Sequence, residues 1–108
     1  MNLKTRNKLI KSLLDDCLKV LLTKGGAYSG DVDANSNFKR NAKHLGMTKY
    51  QVLSVYLNKH LDGINNAIKA NPEYPEEKTE GMKGRILDAI NYLSILYTLI
   101  EEDRKDKK

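Results

Sequence analysis

Gly84 to Ile100 reads GRILDAINYLSILYTLI, and wound at about 100° per residue it is apolar on almost every side. Ile86, Ile90, Leu93, Tyr97 and Ile100 share one face, and Tyr92, Ile95 and Leu99 lie across from them. A helix that is apolar all round is a buried helix. Yet Asp88 falls within the second set, Asn91 sits beside Ile95, and Arg85 stands one turn before Asp88. A buried carboxylate without partners costs several kcal/mol, so Asp88 must be paired, protonated or metal-bound. Arg85 and Asn91 are one turn to either side and can reach it.

Val52 to Ile68, VLSVYLNKHLDGINNAI, repeats the theme. Leu53, Leu57, Leu61, Ile64 and Ile68 make a main stripe, with Val52, Val55 and Tyr56 as a second apolar surface. Lys59 and Asp62 lie on that second surface, three residues apart, and His60 flanks the main stripe. If the charged faces of the two helices meet, they form a polar pocket with apolar walls, the make-up of a small-molecule site. The bland alternative is an interhelical ion cluster of Lys59, Asp62, Arg85 and Asp88 that only fixes register, with His60 as a packing residue.

Working outward, Ile10, Leu13, Leu14, Cys17, Leu18 and Leu21 predict a first helix over about Leu3 to Leu22, stopped by Gly25 and Gly26. Lys24 to Asn37, KGGAYSGDVDANSN, has the composition of a loop, and loops this long are functional or disordered. A short helix follows over about Ser36 to Leu45, ended by Gly46. Thr48 with Gln51 three residues later is a capping box, and Met47 can staple onto Val52. That third helix runs to about Ala70, before Asn71-Pro72, and the last covers about Gly81 to Asp103. The pattern predicts an all-α fold, a small bundle of three long helices and a short one, forming a single domain over 1–108 with charged, frayed ends at 1–8 and 103–108.

Composition narrows the function. Cys17 is the one cysteine, which excludes an intrachain disulfide and suits a reducing compartment. The apolar runs are too short for a membrane span, so a cytoplasmic location is expected. The net charge of +5 gathers at the two ends, with Lys4, Arg6, Lys8 and Lys11 at the first and Arg104, Lys105, Lys107 and Lys108 at the last. No recognition helix carries a basic stripe, so a free nucleotide is a better partner than a nucleic acid. Zinc spacing, phosphate-loop and dinucleotide motifs are absent. Surplus apolar faces on the first and third helices predict a homodimer or higher homo-oligomer.

The blocks LLDDCLKVLLTKGGAYSG, NFKRNAKHLG, QVLSVYLNKHLDGI and EGMKGRILDAINYLSIL, in that order, resemble the nucleotide-modification-associated domain family of bacteriophages and prophages over about Leu13 to Ile100. The architecture is also similar to the MazG-like all-α nucleoside-triphosphate pyrophosphohydrolases. The resemblance implies a nucleotide-handling domain in an infected or lysogenic bacterial host. The pyrophosphohydrolases hold Mg²⁺ with carboxylates three residues apart, which places both on one helix face. Here Arg85 and Lys59 stand where the first acid of each pair would be. Asp62 and Asp88 could still share one Mg²⁺, with Glu80 as a third ligand, while the cations favour phosphate.

The expected ligand site therefore gathers Lys59 and Arg85 on phosphates and Asp62, Asp88 and Asn91 on the cations, ribose or base, with His60 on their flank. A loop from Lys24 would close over the ligand, Tyr28 stacking on the base and the N–H groups around Ser29 and Gly30 meeting an anion, with Asn37 and Phe38 anchoring the far end. Three functions fit: an enzyme acting on nucleoside triphosphates in nucleotide metabolism or DNA modification, a non-catalytic binder that sequesters a nucleotide second messenger, and a structural interaction module.

Overall fold

The computed structural model describes residues 1–30 and 33–106. All regular structure among them is helical: α1 (Leu3–Ser29), α2 (Ser36–Leu45), α3 (Lys49–Ala70) and α4 (Met82–Asp106). No described helix is long and apolar enough to cross a membrane.

Local chemistry sets most of the boundaries. Asn2 caps α1 by accepting from the Thr5 amide at 2.9 Å. The Thr48–Gln51 capping box is formed in both directions, at 3.1 and 2.9 Å. Gly46 ends α2 in the left-handed region, at φ 66°, where a side chain would be strained.

One expectation changes. α1 does not stop at Gly25 and Gly26 but continues to Ser29. Helical glycine costs about 1 kcal/mol against alanine. Here that cost is offset by the anchoring of the helix end: Ser29 Oγ donates to Asn37 Oδ1 at 2.5 Å, and Ser36 Oγ donates to the Ser29 carbonyl at 3.2 Å. Lys24 to Ser29 are thus helix, not loop; Asp31 and Val32, from the same expected loop, lie outside the described residues. Residues 3–8 are helical, and Asp103 accepts from Lys49 Nζ at 2.6 Å and Tyr50 OH at 2.5 Å.

Those last contacts, with the Gly63–Arg85 approach, make α3 and α4 antiparallel neighbours. Lys83 on Asp16 and Asn91 on Cys17 set α1 beside α4 in the same direction. The core is Phe38, Ala42, Val52, Leu53 and Leu99, flanked by Tyr50, Tyr92, Ile95 and Leu96. Each large side chain there contributes about 1.5–3 kcal/mol by leaving water. α4 therefore turns its Tyr92–Ile95–Leu99 side inward; the row from Ile86 to Ile100 faces outward.

Candidate functional site

Asp88 and Asn91 are carried on that inward side of α4, where they border a cavity of about 150 Å³. Lys24, Tyr28 and Ser29 enter it from the end of α1, and Asn37 and Phe38 from the start of α2. Seven residues singled out from sequence are thereby brought together. Their meeting depends on α1 running through its glycines, because that extra helical turn carries Tyr28 and Ser29 to α2. Gly25 lines the same cavity, and a Cβ there would meet nothing within 4 Å. A larger hollow of about 440 Å³ adjoins it, sharing Tyr28, Asn37, Phe38 and Tyr92 and adding Arg40 and Tyr56.

Asn91 is the most informative wall residue. It is 6% exposed, and its Nδ2 donates to the main-chain carbonyl of Cys17 at 3.1 Å. A carbonyl accepts only, so the amide cannot be turned round without setting oxygen against oxygen. Its Oδ1 is left buried without a partner. A buried acceptor without a donor costs about 1–3 kcal/mol, so this oxygen is an uncompensated polar atom beside the cavity.

An aromatic stack backs the cavity. Tyr92 lies nearly parallel to Tyr56, at 6.0 Å and 17°, and to His60, at 5.6 Å and 24°, while Phe38 meets it edge-on at 6.4 Å. Burial raises the Tyr92 phenol's pKa. From the sequence Tyr92 reads as an apolar far-side residue and not as a site residue, although it directly follows Asn91 and shares the inward side of α4.

Next to the stack is a charged knot. His60, only 4% exposed, has Nε2 3.6 Å from Asp88 Oδ2 and Nδ1 3.2 Å from Arg85 Nη1. Arginine can only donate, so this contact leaves Nδ1 as the acceptor. Arg85 also donates to Thr79 Oγ1 at 3.2 Å and lies 3.5 Å from Glu77 Oε2 and 3.6 Å from Glu80 Oε2. Glu77 in turn gathers the Glu80 and Gly81 amides at 2.7 and 3.0 Å and the Thr79 hydroxyl and amide. Those hydrogen bonds, led by the Thr79 hydroxyl and helped by the Arg85 charge, pull the Glu77 carboxyl down to about 2.

Other expected members fall elsewhere. Lys59 and Asp62 are exposed on α3 and border neither cavity; His60, between them in sequence, is the inward residue. The core of α3 passes through Val52, Leu53, His60 and Ala67, which rotates Lys59 and Asp62 toward water. Arg85 is committed to two glutamates, a threonine and a histidine, so phosphate is not its evident partner. The Gly30 amide donates to the Gly26 carbonyl at 3.1 Å and closes the helix instead of meeting an anion.

The metal expectation shifts as well. Asp88 groups with His60 and Glu80, their donor atoms within 4.8 Å of one another, and not with the exposed Asp62. One imidazole and two carboxylates are a poor match for Mg²⁺, which prefers oxygen donors in a strict octahedron. The Arg85 guanidinium already supplies positive charge there. The site does not fit Mg²⁺.

Uncommitted cations occur instead at the cavity mouths: Lys24 and Arg40 are exposed and form no ion pair with a described residue. No protein-family model, curated protein or solved structure matches the chain.

Proposed function

We propose that this chain binds a nucleotide in the two adjoining hollows without turning it over. The observation that carries the reading is an aromatic-lined cavity walled by Asn91, whose amide is fixed by Cys17 and whose Oδ1 lies buried without a partner. A base N–H would satisfy that oxygen once a small shift of the wall opens it to the cavity, Tyr28 and Tyr92 would hold the ring, and Lys24 and Arg40 would attract the phosphates. Aromatic contacts with a few convergent polar groups and cations at the rim are how such ligands are held. The resemblance to the phage nucleotide-modification-associated domains points the same way. Binding without turnover is favoured because each carboxylate of the charged knot has a cation or imidazole neighbour within 4 Å, a poor arrangement for a magnesium-dependent hydrolase. A phage-type protein of this kind would act by sequestering a nucleotide signal.

The test is a thermal-shift screen with linear and cyclic nucleotides, run with and without Mg²⁺ and followed by product analysis. Ligand at 100 times its Kd adds about 2.7 kcal/mol of stability, an easily read rise in Tm. The expected result is a rise with at least one nucleotide, recovered unchanged, and a loss of affinity of about tenfold in Tyr28→Ala and Lys24→Gln. A product in the Mg²⁺ arm would make the protein an enzyme. No response to any nucleotide at millimolar concentration would leave a structural module.

A further inference from the structure

We infer that two copies of this chain pair through the outward face of α4, with the two α4 helices antiparallel. Ile86, Ile90, Leu93, Tyr97 and Ile100 follow one another at steps of four, three, four and three, the spacing of a seam between paired helices. The protein's own core is on the other side of α4, around Leu99, which is fully buried. Most of the seam is left to solvent: Leu93 is 51% exposed, Tyr97 64%, Ile86 and Ile100 are exposed with them, and Ile90 is half-buried. Single exposed apolar residues are ordinary, but an ordered row over four turns is not.

Charge identifies the occupant and its direction. Lys83 continues the seam before Ile86, Arg104 continues it after Ile100, and Glu101 flanks that end. Antiparallel pairing sets Ile86 against Tyr97 of the second copy and Ile90 against its Leu93. Lys83 then lies over the second copy's Ile100, with its ammonium beside that copy's Glu101. The two-fold axis makes each contact twice. Parallel pairing would set Lys83 against Lys83 and Arg104 against Arg104, and would align the helix dipoles unfavourably. Within one chain Lys83 and Glu101 make only surface pairs, to Asp16 at 2.8 Å and to Arg104 at 3.3 Å, and such pairs are cheaply extended or exchanged.

The nucleotide reading is independent of this, because Asp88, Asn91 and Tyr92 leave α4 on the opposite side. Size-exclusion chromatography with light scattering, at roughly 100 µM chain, is the test. Expected is a mass twice the 12.3 kDa of one chain. Leu93→Glu should return the single-chain mass with an unchanged helical circular-dichroism spectrum. Tyr97→Lys should do the same, and its exposure protects the fold if Leu93→Glu fails to accumulate. Lys83→Glu should weaken dimerisation about tenfold, and adding Glu101→Lys should restore it. A wild-type monomer, a dimer indifferent to both seam variants, or a double charge exchange no better than the single one would overturn the proposal.

Discussion

Asn91 on α4 donates its amide to the main-chain carbonyl of Cys17 on α1, 74 residues away in sequence, at 3.1 Å. One hydrogen bond thereby fixes both the register of two parallel helices and the direction in which the amide oxygen points. Asn91→Asp would set a carboxylate against that carbonyl in a nearly dry place. The expected loss is roughly 3 kcal/mol, read as a lower urea midpoint at neutral pH. Asn91→Leu removes the hydrogen bond but also the orphaned oxygen, so it should cost about 1 kcal/mol or less. Equal losses in the two variants would show that amide direction is not what the site enforces.

Gly63 lies under the Arg85 side chain. A Cβ at that position would be 2.8 Å from Arg85 Nε and 3.2 Å from Cδ and Cζ. In mid-helix, alanine is ordinarily favoured over glycine by about 1 kcal/mol. Here Arg85 is tied to Glu77, Thr79, Glu80 and His60, so moving it aside disturbs those contacts. Gly63→Ala should therefore destabilise the protein by ~1–2 kcal/mol. In an Arg85→Ala background the obstacle is gone, and the same change should stabilise. Reversal of sign across that double-mutant cycle, measured by urea unfolding, is the expected outcome; a loss in both backgrounds would place the obstacle elsewhere.

Glu77 gives the acid limb of stability a definite origin. Its carboxyl is held at about 2 in the folded chain, against an ordinary value of 4.5. A lowered folded value means that the charged form is preferred by the native state. Its contribution is complete above about pH 4.5 and is lost as pH falls toward 2. Glu77→Gln keeps the shape but loses the charge that gathers Thr79, Glu80, Gly81 and Arg85. Urea midpoints of the two proteins should differ at pH 6 and converge by about pH 2. A gap that persists at the acid end would mean that the Glu77 charge is not the cause.

Turn chemistry was legible in the sequence wherever a single local arrangement wins. Thr48 with Gln51 is a short-range motif whose hydrogen bonds need no tertiary support, and Gly46 answers a purely local demand for positive φ. Rotation about a helix axis was harder. α3 has apolar residues on both flanks, so nothing local says whether Lys59, His60 or Asp62 turns inward. The choice is made by Leu53, Val52 and Ala67 packing on their neighbours, and it falls on His60. α4 posed the same ambiguity. Its tidier apolar row is the outer one, while Asp88 and Asn91 travel with the less regular inner side. The glycine pair in α1 was misleading for a related reason: propensity opposes helix there, and the contacts of Ser29 with Asn37 and Ser36 outweigh it.

Gly25 and Gly26 separate fold from function most cleanly, because they are adjacent, both helical, and neither has an atom within 4 Å of an added Cβ. Alanine at either should raise stability by about 0.5–1 kcal/mol through helix propensity and a less flexible unfolded chain. Only Gly25 lines the cavity; Gly26 is exposed beside it. A methyl group at Gly25 would occupy part of a space of about 150 Å³ between Tyr28 and Asn91. Gly26→Ala should thus leave nucleotide affinity unchanged, while Gly25→Ala should lower it about tenfold even as the free protein melts higher. Calorimetric titration paired with thermal melts reads both quantities. If Gly25→Ala binds as tightly as the parent chain, the ligand does not enter between α1 and α4, and the cavity is a packing gap.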